Sequence, residues 1–157
     1  MFKMGGNIMK RKRLAAILLT AAMMVSAVST TASAADTVDK YYYKPSITAG
    51  EWISTVAHYK ETTSEVYVAP DNSPSGYSQM RTYCYVSGVP TNKTTAGTVR
   101  LADGRKYAIN NYVYEDGDYT SNEGVRMYLR MSPTSGSGMM DGHWSPDYAY
   151  ESGVTYV

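Results

Sequence analysis

Three residues near the C-terminal end, His143, Ser145 and Asp147, name the parts of a nucleophilic triad. Their spacing argues against that chemistry. A triad needs Ser at hydrogen-bond distance from His with Asp behind the ring, and such groups converge from separate parts of a fold. Neighbours on one extended segment cannot meet in that way, and no Gly-x-Ser-x-Gly elbow is present. Ser145, Pro146 and Asp147 are therefore expected to form a turn that ends a strand. No catalytic residue, and hence no enzyme, is expected.

A second cluster suggests metal chemistry. Glu115, Asp116, Asp118, Asn122 and Glu123 crowd one loop, and calcium favours flexible loops rich in oxygen ligands. Counting from Asp116, however, the sixth and twelfth positions are Ser121 and Met127, where a helix-loop-helix calcium site requires Gly and Glu. Asp116, Asp118, Asn122 and Glu123 stand as candidate calcium ligands beside the alternative of a solvated acidic turn. Zinc has only His58 and His143 to draw on, with no cysteine partner. No cofactor is expected.

The third pattern is aromatic and cationic. Val125, Met127, Leu129 and Met131 alternate with Arg126, Tyr128 and Arg130, and Met80, Thr82, Cys84 and Val86 alternate with Arg81, Tyr83 and Tyr85. Period-two alternation places each Arg/Tyr row on the outward face of a strand. Were the two strands neighbours, Arg81, Tyr83, Tyr85, Arg126, Tyr128 and Arg130 would form one face offering rings for apolar contact and guanidinium groups for carboxylate or phosphate. The same rows also suit ordinary cross-strand packing. Cys84 is the only cysteine, shares the inward face, and is expected to be a buried structural thiol.

The elements that must carry these residues read as strands. Residues 51–60, 64–69 and 79–88 are short strand candidates separated by polar turns. Asp103-Gly104 stands between alternating arms over 98–109 and predicts a tight hairpin, since Asp-Gly readily takes positive φ. Residues 124–147 predict a closing hairpin, with Trp144 anchoring its second arm. No stretch of ten residues after the leader has helical periodicity, and there is no internal repeat. The fold class expected is all-β, a small antiparallel β-sandwich or barrel of six to seven strands, after a cleaved N-terminal signal peptide.

That leader is written in residues 1–34. Lys10, Arg11, Lys12 and Arg13 precede an apolar run from Leu14 to Val28, and Ala32-Ser33-Ala34 is a small-x-small cleavage site. Polar Ser26, Ser29, Thr30 and Thr31 interrupt the run before the ~20 residues a membrane span needs. Signal peptidase and the secretion machinery are the expected partners, and no membrane span is expected in the mature form. Residues 35–50 read as a Tyr-containing arm or linker and 51–157 as a single β domain.

Five of the 15 Lys and Arg residues leave with the leader, so ten basic face 14 acidic residues and the mature net charge is −4. Nucleic acid requires a clustered basic excess and is not an expected partner. All 16 Tyr and both Trp lie after the leader, whereas Leu, Ile, Val and Phe supply only 16 of 123 residues there. A thin core of Val, Met, Ile and tyrosine rings follows.

The leader, Lys60 to Val68, Ile109 to Glu115 and Gly142 to Asp147 together resemble an uncharacterised family of small secreted proteins from Gram-positive bacteria. A looser likeness, in size and Tyr/Trp content, is to lactococcin-type bacteriocins. The family resemblance implies no activity and no catalytic residues. The function expected is a secreted, non-enzymatic binding or interaction module for a cell-wall polymer, glycan or secreted protein, with a bacteriocin-like secreted toxin as the alternative. With no Leu-Pro-x-Thr-Gly signal, release to the medium or non-covalent retention at the cell wall is expected.

Overall fold

The computed structural model describes residues 37–118 and 123–157. The leader expected over 1–34 lies outside them. The described chain is all-β, with eleven strands in two sheets. The first sheet has the order β1 (Lys40–Thr48), β10 (Ser137–Ser145), β4 (Val66–Asn72), β8 (Lys106–Ile109), β11 (Val154–Tyr156). In the second, β9 (Val125–Pro133) and β5 (Tyr77–Val86) lie side by side. Two short strands, β2 (Ile53–Ser54) and β3 (His58–Lys60), flank β9, and β6 (Val89–Asn92) and β7 (Val99–Ala102) flank β5. Every pairing is antiparallel except β8 with β11. The count exceeds six or seven because segments expected as single strands divide: 51–60 gives β2 and β3, and part of the loop after Gly88 becomes β6.

The alternation legible in the sequence sets which side chains meet between the sheets. Val125, Met127, Leu129 and Met131 of β9 are fully buried, as are Met80 and Cys84 of β5. From the first sheet come Tyr42, Ile47, Val66, Val68, Ile109, Met140 and Trp144. Each fully buried aliphatic side chain contributes roughly 1.5–3 kcal/mol, so methionines and tyrosines make up for the shortage of Leu and Phe.

Both expected hairpins turn out to be arches. Across Asp103-Gly104, β7 pairs with β5 in one sheet and β8 pairs with β4 in the other. Gly104 takes the expected positive φ of 71°, but the turn joins sheets and not partners. The neighbouring crossing holds it: Asp103 accepts from the Ser73 amide at 2.6 Å, and Gly104 donates to the Pro70 carbonyl at 2.8 Å. Likewise β9 and β10, joined through Gly136, lie in different sheets. The hairpin between consecutive strands is β5–β6, closed by Ser87 and Gly88 with φ of 51° and 78°, the pair of positive angles of a type I′ turn.

Residues 40–48 lie within the stretch read as a Tyr-containing arm or linker. They form edge strand β1, paired with β10 from Lys40 opposite Trp144 to Thr48 opposite Ser137. Tyr41 and Tyr43 do lie along the domain edge, whereas Tyr42 enters the core. A single helical turn, α1 (Val113–Asp116), follows β8 and buries Val113.

Candidate functional site: an aromatic and cationic sheet face

Strands β5 and β9 are neighbours, and their register brings the two Arg/Tyr rows together. Arg81 stands opposite Arg130, and Tyr83 opposite Tyr128. The Tyr83 and Tyr128 rings stack with centroids 5.6 Å apart and planes 20° from parallel, and Tyr85 leans on Tyr128 at 6.4 Å. Burial in this stack raises the Tyr128 hydroxyl above its usual pKa, with Arg130 pulling the other way. Tyr85 remains 43% exposed and Arg126 is exposed, so the ladder stays open to solvent at that end.

Trp52 completes the ladder, and sequence reasoning missed it. It shares the parity of Ser54, which pairs with Arg130, so its indole lies over the two arginines. The Arg81 guanidinium is 4.2 Å from the ring centroid and that of Arg130 is 5.9 Å away, with Arg130 also 5.5 Å from the Tyr83 ring. Parity within 51–60 was the only available signal, and it could not say which strand Trp52 would face. Two further residues extend the row: Arg100, on β7 opposite Gln79, lies 4.3 Å over the Tyr77 ring.

The charge pattern of this face is one-sided. Like charges directly opposite each other across a sheet disfavour pairing, yet Arg81 and Arg130 occupy that relation. The outward strand positions of this sheet carry Arg81, Arg100, Arg126 and Arg130 and no Asp or Glu. Among the described residues none of these four guanidinium groups forms an ion pair. Arg81 is oriented by its Nε, which donates to Thr98 Oγ1 at 2.7 Å. From Tyr77 to Tyr85 the stripe runs about 27 Å at the rise of an antiparallel strand.

The other constellations disperse. Asp116 holds Lys93 at 3.1 Å, while Asp118 accepts from the Gly88 amide at 2.9 Å. The Ser87 and Gly88 amides keep Asp118 below the usual carboxylate range, which ties it to the β5–β6 turn and away from Asp116. Glu123 is exposed, and Asn122 lies outside the described residues. Among the described residues no group of three His, Cys, Asp or Glu side chains is placed to hold a metal ion.

His143, Ser145 and Asp147 also go separate ways. His143 faces outward, with its ring 5.2 Å from Tyr41 and Nε2 3.5 Å from Asp71. Asp147 is buried against Lys60 at 3.1 Å. His58 packs edge-on against Trp144 at 5.6 Å, on the opposite side of the sheet from His143. Cys84 is a free, fully buried thiol, as its strand face indicated.

A family model described as a protein of unknown function, DUF2712, matches residues 28–148. The chain belongs to this family. The DUF2712 match spans both sheets apart from β11, and so takes in the whole Arg/Tyr face and the Lys60–Asp147 contact. No curated protein and no solved structure matches the chain. Membership in DUF2712 agrees with the uncharacterised family the sequence resembles, and it brings no activity with it. Among the described residues no helix is long and apolar enough to cross a membrane.

Proposed function

We propose that this protein is a secreted, non-enzymatic binding module of a Gram-positive bacterium, and that the outer face of its β5–β9 sheet holds an anionic cell-wall polymer. The observation that carries the reading is the Arg81–Arg130 pair, opposed across two strands with no carboxylate on their face. An anionic ligand would relieve that repulsion with charge-assisted hydrogen bonds from two adjacent guanidinium forks, and the flanking Tyr83, Tyr85, Tyr128 and Trp52 rings would supply flat apolar contact for the sugar or alkyl units between charges. A linear stripe about 27 Å long suits a polymer with repeating charge better than a compact small molecule, which prefers a concave pocket.

Secretion rests on the leader at residues 1–34, and retention at the wall would then be non-covalent. A glycan or a second secreted protein would use the same face. The bacteriocin-like alternative draws on size and Tyr/Trp content, and no contact in the fold adds to it.

The test is co-sedimentation of the purified chain with isolated cell walls, before and after extraction of their anionic polymers. Binding to intact walls, lost on extraction and weakened in the triple variant Tyr83→Ala, Tyr85→Ala, Tyr128→Ala, is the expected result. Absence of binding to walls, glycans and secreted proteins alike, with the triple variant indistinguishable from wild type, would sink the reading.

A further inference from the structure

The end of the sandwich away from the Asp103-Gly104 arch is closed by a contact the sequence gives no hint of. Lys60, the last residue of β3, points inward opposite Val125 and is fully buried. Its Nζ lies 3.1 Å from Asp147 Oδ1, with both side chains fully buried, and it also donates to the Pro146 carbonyl at 2.8 Å. The Asp147 carboxylate accepts further bonds from the amides of Glu61 at 2.9 Å and Thr62 at 3.2 Å, and from the hydroxyls of Thr62 at 2.7 Å and Ser64 at 3.2 Å. Gly124 packs against the backbone of Lys60: a Cβ there would lie 2.3 Å from the Lys60 carbonyl oxygen.

An amine and a carboxyl held in contact away from water are the two reactants of an amide. We propose that Lys60 and Asp147 condense to an intramolecular isopeptide cross-link between the end of β3 and the segment after β10. The balance is complete within the pair. Nζ passes one proton to the carboxylate, which leaves a neutral amine facing a carboxylic acid. The amine then attacks Cγ, forming the N–C bond. Its second proton goes to the departing carboxyl oxygen, and that oxygen leaves as water. No oxidant, metal or activating group enters.

The surroundings act on each stage differently. Burial lowers the Lys60 pKa, against the pull of Asp147, and so brings the neutral amine within reach. Burial also raises that of Asp147, but Lys60, the Glu61 amide and the Thr62 hydroxyl outweigh it, so the acid form is a minor one and the condensation is slow. The donors that hold the carboxylate are placed to stabilise the oxyanion of the tetrahedral intermediate. Fixed contact between reactants replaces a bimolecular encounter, and effective molarities of ~10⁵–10⁸ M are known for such arrangements. The product keeps one N–H to donate to Pro146 and removes two buried charges. An open polar pocket of about 360 Å³ is bordered by Tyr67, Ser145, Asp147 and Tyr148.

The test is the intact mass of the purified, folded chain after prolonged incubation at neutral pH, followed by protease digestion. The expected result is a mass one water below that of the chain and a branched peptide joining Lys60 to Asp147, both absent from Lys60→Arg, whose guanidinium does not condense. The digest is needed because Asp103-Gly104, Asp116-Gly117 and Asp141-Gly142 can also lose water by cyclising on the backbone. A full mass, or a loss that maps to one of those Asp-Gly pairs, overturns the proposal and leaves an ordinary buried ion pair. The measurement is made on the wild-type chain, so it stands even where a variant fails to fold.

Discussion

Tyr83 of β5 and Tyr128 of β9 are direct cross-strand partners whose rings stack 5.6 Å apart on the outer face of the second sheet. Stacked aromatic pairs contribute beyond their buried area. A double-mutant cycle with Tyr83→Ala and Tyr128→Ala, read by chemical denaturation, is expected to give a coupling of about 0.5–1.5 kcal/mol. A coupling near zero would show that the rings merely lie near each other.

Arg130 separates stability from recognition. It faces Arg81 across the sheet, so its charge does little for the fold beyond contacts with Trp52 and Tyr83. Arg130→Gln is expected to leave unfolding free energy within about 0.5 kcal/mol of wild type, as for most surface changes. Wall binding should fall and become less sensitive to salt, measured by sedimentation across a salt series. A variant that binds as well as wild type would remove Arg130 from the interface.

The Lys60–Asp147 pair and the Lys106–Glu151 pair make an internal comparison. The first is fully buried, while the second has side chains 47% and 45% exposed. Lys60→Ala strands a buried carboxylate and is expected to cost about 3–5 kcal/mol. Lys106→Ala should cost no more than about 1 kcal/mol. Urea midpoints of the two variants check the order.

Cys84 sets an alkaline limit. Burial pushes its thiol up to about 11 from an ordinary value near 9.0. Between those values the unfolded chain has lost the proton and the folded chain retains it, so stability falls as pH rises from about 9 to about 11 and is unaffected by this group below that window. The loss amounts to roughly 2–3 kcal/mol by the upper end, at 1.36 kcal/mol per pKa unit. Subtracting the pH profile of Cys84→Ala isolates it, and a thiol reagent should label wild type at neutral pH only on unfolding.

Gly142 and Tyr42 form a tight crossing between β10 and β1. A Cβ on Gly142 would lie 2.5 Å from both the Tyr42 hydroxyl and the Ala69 carbonyl oxygen. Because the second is backbone, the site cannot yield, and Gly142→Ala is expected to cost at least about 1–3 kcal/mol. Among the described residues the buried Tyr42 hydroxyl has no hydrogen-bond partner, so Tyr42→Phe should be neutral or stabilising by up to about 1 kcal/mol. Thermal melts of both variants test the contrast.

The sequence by itself determined which way side chains point. Val125 to Met131 face inward and Arg126, Tyr128 and Arg130 outward because period-two alternation is a property of a single strand. The buried thiol of Cys84 and the positive φ of Gly104 were legible for the same local reason. Only the tertiary structure decided which strand lies beside which. An alternating arm looks alike whether it pairs with the arm across its turn or with another sheet, so the arches at Asp103-Gly104 and Gly136 read as hairpins. Trp52 joined Arg81 and Arg130 through the pairing of β2 with β9. Lys60 and Asp147, far apart in sequence and each soluble in its own right, became a buried pair because the fold closed over both.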